Sequence, residues 1–177
     1  ERLQAQEDVR ELRKRITELD QDSIDLVLTG ARSHYAWTDQ PVSDEQLHRI
    51  HDMVKMGSTS MNSCPARIIF VRSDAAKEKL AKSLKPANVP KVMKAPVTAI
   101  IAYDDAFWEE LPRLFPHEDR RPIFSGNEKM ARDTAYRNST LQGAYFMIAA
   151  RPTYTTLGYI FGVIRLLVSP SNNFIVI

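Results

Sequence analysis

Residues 97–103, Val-Thr-Ala-Ile-Ile-Ala-Tyr, run almost without a polar side chain between Pro96 and Asp104. A strand with one wet face alternates apolar and polar residues, so a continuous apolar run of this length reads as a central strand covered on both faces. Residues 129–151 carry the longest helical pattern, in which Ala135, Leu141, Ala144, Tyr145, Ile148 and Ala149 give a broad small-and-apolar face. This is the expected central helix.

The remaining elements follow from caps and turns. Val9, Leu12, Ile16 and Leu19 recur at helical spacing among charged residues, giving a narrow amphipathic stripe that ends at a break over 20–22. A short segment at 24–28 ends near Gly30, and 31–41 mixes polar, aromatic and turn residues into a loop. Ser43 as N-cap, Gln46 three residues on, and the Val42/Leu47 pair predict a helix over 44–56 with a capping box and a hydrophobic staple. A strand over 68–72 follows, and Ser73 caps a helix over 74–84. With prolines at 86 and 90, residues 85–94 read as irregular. Residues 105–127 carry Trp108, Pro112, Phe115, Pro116, Pro122 and Phe124, and read as a long lid-like excursion over the surface. Residues 163–168 fit helix or strand equally, and 174–177 reads as a terminal strand.

Residues 57–65, Gly-Ser-Thr-Ser-Met-Asn-Ser-Cys-Pro, join the 44–56 helix to the strand. So many hydroxyls beside an Asn suit a polar heteroaromatic ligand lying against backbone and short side chains. The same residue types also make ordinary turns, and the loop taken alone supports both readings.

The 177 residues, 44% hydrophobic, suit one globular domain spanning the chain, with 1–22 as a helical extension. A net charge of +2 with interspersed signs gives no support to a nucleic-acid or membrane partner. Cys64 alone excludes an internal disulfide and fits a reducing compartment, and no leader pattern or run of about 20 apolar residues is seen, so cytoplasm is the expected location. His48 and His51 lack a nearby third ligand, and no metal site is expected. Hydrolase, Rossmann and NTPase glycine motifs are absent.

Three separated segments together resemble the FMN-dependent nitroreductase family. They are Ala31-Arg32-Ser33 followed by Trp37-Thr-Asp-Gln-Pro-Val-Ser-Asp-Glu; Ser58-Thr-Ser-Met-Asn-Ser-Cys-Pro-Ala-Arg-Ile-Ile-Phe-Val; and Asn88-Val-Pro-Lys91 ahead of Ala95-Pro96-Val97. The similarity spans roughly 24–177. Ala-Arg-Ser-His, Pro-Ala-Arg-Ile and Arg137-Asn-Ser-Thr-Leu-Gln-Gly-Ala-Tyr look like the malonic-semialdehyde-reductase-like subgroup.

The resemblance implies an α+β fold with a central, mostly antiparallel mixed sheet flanked by helices, assembled as a homodimer. It implies that Arg32 and Ser33 hold the FMN phosphate, which suits a guanidinium beside a short hydroxyl. Ser60 and Asn62 would lie near the ring or ribityl chain, and Asn88 and Lys91 at the pyrimidine edge, where a cation stabilises negative charge on the reduced ring. Gly162 would let the backbone approach the flavin. His34 either touches phosphate or ribityl hydroxyls or only packs, and Arg32 and Lys91 read without the resemblance as solvated surface cations.

The chain departs from the family pattern at Tyr35, where a second cation is usual, at Cys64 and Ala66, which stand for Gln and Trp, and in a compressed 152–177. The implied activity is ping-pong hydride transfer from NADH or NADPH to a small-molecule acceptor such as a nitro compound, quinone or short semialdehyde, with no catalytic side chain needed. The alternative is a flavin-binding protein without turnover, a sensor or interaction module.

Overall fold

A computed structural model of the chain describes residues 2–34, 36–38 and 40–153, together with strand backbone at 163–165 and 174–176. Contacts divide the chain into two compact units, Glu1–Ala31 and Arg32–Ile177. The first unit opens with helix α1 (Arg2–Arg15), whose last turn carries Arg13, Lys14 and Arg15 where the helix dipole favours cations. Val9 and Leu12 lie exposed on this helix, whereas Ile16 and Leu19, expected on the same stripe, lie exposed beyond its end. Asp20, in the expected break, caps α2 (Gln21–Ile24) by accepting the Ser23 N–H at 2.7 Å. A π-turn, Asp25–Thr29, then ends at Gly30.

The second unit begins its regular structure with α3 (Asp44–Val54). Its capping box is present in both directions: Ser43 Oγ accepts the Gln46 N–H at 3.2 Å, and Gln46 Oε1 accepts the Ser43 N–H at 2.9 Å. Strand β1 (Ala66–Val71) and helix α4 (Asp74–Ala81), capped by Ser73, follow as expected. The stretch 85–94 is not irregular. It forms a 3-10 turn, Pro86–Asn88, and then α5 (Val89–Lys94), because each proline falls in a first turn, where its missing N–H has no intrahelical partner to lose. Strand β2 (Thr98–Tyr103), short α6 (Leu111–Leu114) and the long α7 (Glu128–Ala150) complete the main body, with strands β3 (Val163–Arg165) and β4 (Phe174–Val176) beyond it.

The described strands form one mixed sheet in the order β3-β2-β1-β4. The α+β class and the mixed sheet agree with expectation. Antiparallel pairing is confined to the central pair, where Ala66 faces Tyr103 and Val71 faces Thr98. Both outer pairs, β1 with β4 and β2 with β3, are parallel. Parallel neighbours require long crossovers, and β3 and β4 are reached only after the length of α7.

Two clusters make the core. Leu47, Ile50 and Val54 of α3 meet Ile68 and Phe70 of β1 and Phe146, Ala149 and Ala150 of α7. Tyr103 and the other end of α7, Ala131 and Ala135, pack instead with Phe107, Leu111 and Phe124. The 105–127 segment is thus anchored more firmly than its sequence implies, because Phe107 and Phe124 are core and Trp108 and Phe115 pack against that cluster. Phe107 and Phe124 meet edge to face with centroids 5.0 Å apart. Residues 116–119 stay exposed; there Arg121 donates to the Asp119 carboxylate and lowers its pKa to about 2.

His51 sits half-buried on α3, and burial, followed by the Lys55 charge, holds its pKa below the ordinary imidazole value of 6.5. The fold disfavours the imidazolium, so the unfolded chain takes up this proton first as pH falls, and stability declines as pH drops through the unfolded pKa. The melting temperature of His51→Gln should accordingly fall less than that of the wild type between about pH 7 and pH 5. Equal slopes in a thermal-melt series would assign the acid limb to other groups.

Candidate functional site

The polar loop between α3 and β1 lies along one face of α7. Asn138, Gln142 and Tyr145 stand four and three residues apart, so their side chains share that face. Asn138 Oδ1 accepts the Ser60 N–H at 2.8 Å, Gln142 Oε1 accepts the Ala66 N–H at 2.9 Å, and the Tyr145 hydroxyl donates to the Ser58 carbonyl at 2.9 Å. At Gly57 the chain passes close against the helix: a Cβ there would lie 2.2 Å from the Tyr145 ring. Within the loop, Thr59 Oγ1 accepts the Cys64 N–H at 3.2 Å. Met61, Asn62 and Cys64 all take left-handed backbone, with φ of 53°, 50° and 39°. Asn tolerates this region, whereas Met and Cys are held there at a cost by their surroundings.

The loop's exit into β1 is fixed by a buried ion pair. Arg67 donates to Asp104 Oδ2 at 2.7 Å, with the two side chains 5% and 4% exposed. Arg67 stands opposite Ala102, which places Asp104, two residues on, diagonally across on the same face of the pair. The guanidinium also donates to the carbonyls of Cys64 and Ala66, and Asp104 Oδ1 accepts the Ala106 N–H at 2.9 Å. Arg67 Nε and the buried hydroxyls of Ser63 and Ser139 have no hydrogen-bond partner among the described residues.

The residues expected to bind the cofactor fall into local groups. Arg32, Ser33 and His34 lie exposed in a stretch without regular secondary structure before α3. Ser60 and Asn62 share the polar loop, where Ser60 is exposed and Asn62 Nδ2 donates to the Leu114 carbonyl at 2.9 Å, tying the loop to α6. Asn88 and Lys91 are brought together at the start of α5, with Lys91 Nζ donating to Asn88 Oδ1 at 3.3 Å. Gly162 and Tyr35 lie outside the described residues. A separate depression of about 410 Å³ at the start of α3 contains none of these residues, and its Arg72 is engaged by Asp44 at 2.6 Å and by the Val42 carbonyl.

The sequence reading gave no role to Arg67, Asp104, Asn138 or Gln142, and placed Tyr145 only on the apolar face of the long helix. A signal existed for each group. Arg67 and Asp104 are opposite charges placed at the ends of two apolar runs, and the other three are polar groups at helical spacing on the long helix.

The donor set fits FMN on its own chemistry. An exposed Arg-Ser pair suits a phosphate, and a Lys-Asn pair offers a cation and an amide to a heteroaromatic edge. The polar loop has its Ser60 and Ala66 N–H groups satisfied from behind by α7 and keeps its Ser60 hydroxyl exposed.

Comparison with known proteins identifies the family. The model of the nitroreductase family matches residues 28–160. A Burkholderia lata protein that carries the name NADH dehydrogenase/NAD(P)H nitroreductase is 50% identical over 136 residues, 77% of this chain and 70% of that protein. Among solved structures, a Staphylococcus epidermidis protein described as an NAD(P)H:FMN oxidoreductase shares the fold with a TM-score of 0.66 at 20% identity, over 78% of this chain and 72% of that one. An Exiguobacterium sibiricum nitroreductase crystallised with FMN has a TM-score of 0.63 at 22% identity, over 77% and 72% of the two chains. The chain belongs to the nitroreductase family. No helix among the described residues is long and apolar enough to cross a membrane, and no described group of His, Cys, Asp and Glu is arranged to hold a metal.

Two outcomes follow from this geometry. Asp104→Asn or Arg67→Met alone should cost about 3–5 kcal/mol in urea unfolding by stranding a buried charge, while Arg67→Met with Asp104→Leu recovers most of the loss. A double variant no more stable than the singles would refute the ion-pair account. Gly57→Ala should cost about 1–3 kcal/mol by displacing the Tyr145 ring, and an unchanged denaturation midpoint would show that the ring moves freely.

Proposed function

We propose that this chain is an FMN-dependent NAD(P)H oxidoreductase working by a ping-pong scheme. A nicotinamide donor and then a small electrophile, such as a nitro compound, a quinone or a short semialdehyde, occupy one place in turn. The general activity follows from membership of the nitroreductase family. The observation that carries the finer reading is the paired Asn88 and Lys91, which provides a cation and an amide on one short helical turn.

When bound, FMN supplies the two-electron chemistry, which no protein side chain can perform alone. The chain's own residues bind and orient. Arg32 and Ser33 hold the phosphate, with His34 beside them; Ser60 and Asn62 line the ring or ribityl chain, the Asn62 amide being held in place by its Nδ2 bond to the Leu114 carbonyl and by the Cys64 thiol at 3.5 Å from its Oδ1. Lys91 places positive charge at the pyrimidine edge, with Asn88 orienting its ammonium. Gly162 is assigned the close backbone approach on sequence grounds alone. The exposed stretch 116–119 is assigned the exclusion of water from the site, and the bond from Asn62 to the Leu114 carbonyl just before it supports that role.

A homodimer is part of this proposal. Leu141 and Ile148, read from the sequence as part of one face with Ala135 and Ala149, are instead exposed on α7 together with Met130, and the three recur at near-whole numbers of turns, giving an apolar line opposite the buried face of that helix. Light scattering of the holoprotein at dilute concentration checks this: a flavin-loaded monomer would count against it.

Purified protein should show flavin absorbance that bleaches on anaerobic addition of NADH or NADPH. Flavin that binds and never bleaches would favour the reading as a binding module without turnover. Arg32→Ala should weaken FMN binding by about 1.5–3 kcal/mol, the scale of a charge-assisted hydrogen bond. An unaltered FMN titration would remove Arg32 from the phosphate site.

A further inference from the structure

We infer that Asn138 of α7 is a positioning residue for the polar loop 57–65 and through it sets cofactor affinity, an inference that rests on the FMN reading above for its second half. Asn138 need not touch any ligand. Its Oδ1 takes up the Ser60 N–H at 2.8 Å, while its own Nδ2 is tied to the Thr134 carbonyl at 2.9 Å, so the amide is held in one orientation. Gln142 repeats the arrangement one turn later on the Ala66 N–H at 2.9 Å.

Between those two anchors lie all three left-handed non-glycine residues found among the described residues, Met61, Asn62 and Cys64. Such backbone persists only where the surroundings over-determine it. The anchor bonds to Asn138 and Gln142 supply that constraint. With Asn138 in place, the loop meets a ligand already shaped and loses little further entropy on binding. Without its acceptor, the Ser60 N–H must find water, and the left-handed residues relax toward ordinary turn geometry. Gln142 is the poorer probe because it is 4% exposed and its removal strands a buried amide.

The test uses Asn138→Leu, which removes the acceptor, and Asn138→Asp, which keeps it. Hydrogen exchange of the Ser60 amide in cofactor-free protein reads the loop without any flavin. Protection should be lost in the Leu variant and retained in the Asp variant. FMN titration by fluorescence should then show Kd rising about tenfold for the Leu variant and staying within about threefold for the Asp variant, with the melting temperatures of the two cofactor-free proteins alike. A Ser60 amide as protected in Asn138→Leu as in the wild type overturns the inference, and so does equal weakening in both variants. A wild type that binds no FMN defeats the functional proposal alone, since the exchange experiment still decides the role of Asn138. If the Leu variant does not fold, Asn138→Ala is read by the same criteria.

Discussion

The ion pair between Arg67 and Asp104 is the contact from which the rest of this unit can be built. Two charges removed from water carry a desolvation penalty that their attraction repays only when geometry and further hydrogen bonds are good. Here the guanidinium adds the carbonyls of Cys64 and Ala66, and the carboxylate adds the Ala106 amide. The return is specificity of register. A slip of one residue between β1 and β2 would turn Arg67 into the face occupied by Ala66, Ile68 and Phe70, leaving a charge in an apolar cluster. The pair therefore settles the central antiparallel pairing and the point at which the polar loop enters it.

Helix α7 serves both the core and the loop. Its two halves contribute to different apolar clusters, so it bridges the α3 side of the sheet and the 105–127 segment. Adjoining its buried face runs a row of amide and hydroxyl groups that accept or donate to the loop's backbone. A loop of this kind cannot bury its N–H groups unpaired. Side chains from a rigid helix satisfy them without making the loop part of a sheet, and strained residues survive at its tip.

This division of labour accounts for the loop's composition. The sequence over 58–63 is richer in hydrogen-bonding groups than a turn requires, and the structure uses many of them internally: Thr59 on Cys64, Asn62 on Leu114, and the amide of Ser60 on Asn138. The turn reading and the ligand reading thus each describe part of it. The groups bonded to α7 are spent on folding, while Ser60 itself stays exposed.

Local patterns were legible where the physics is local. The capping box at Ser43, the apolar run of β2, the span of α7 and the family-like segments around Arg32, Ser60 and Lys91 all depend on neighbours within a few residues or on short motifs. The 85–94 stretch misled because proline is a breaker in a helix interior and a good starter in its first turn, and only the position of the turn tells the two apart. The amino-acid sequence by itself determined the α+β class, the main elements and the family. Tertiary structure alone decided that Arg67 would meet Asp104, that Asn138 and Gln142 would hold the loop, and that the outer strands would run parallel to their neighbours. Those outcomes join residues dozens of positions apart, and their energies exist only once burial has removed the water that would otherwise compete for the same charges and amides.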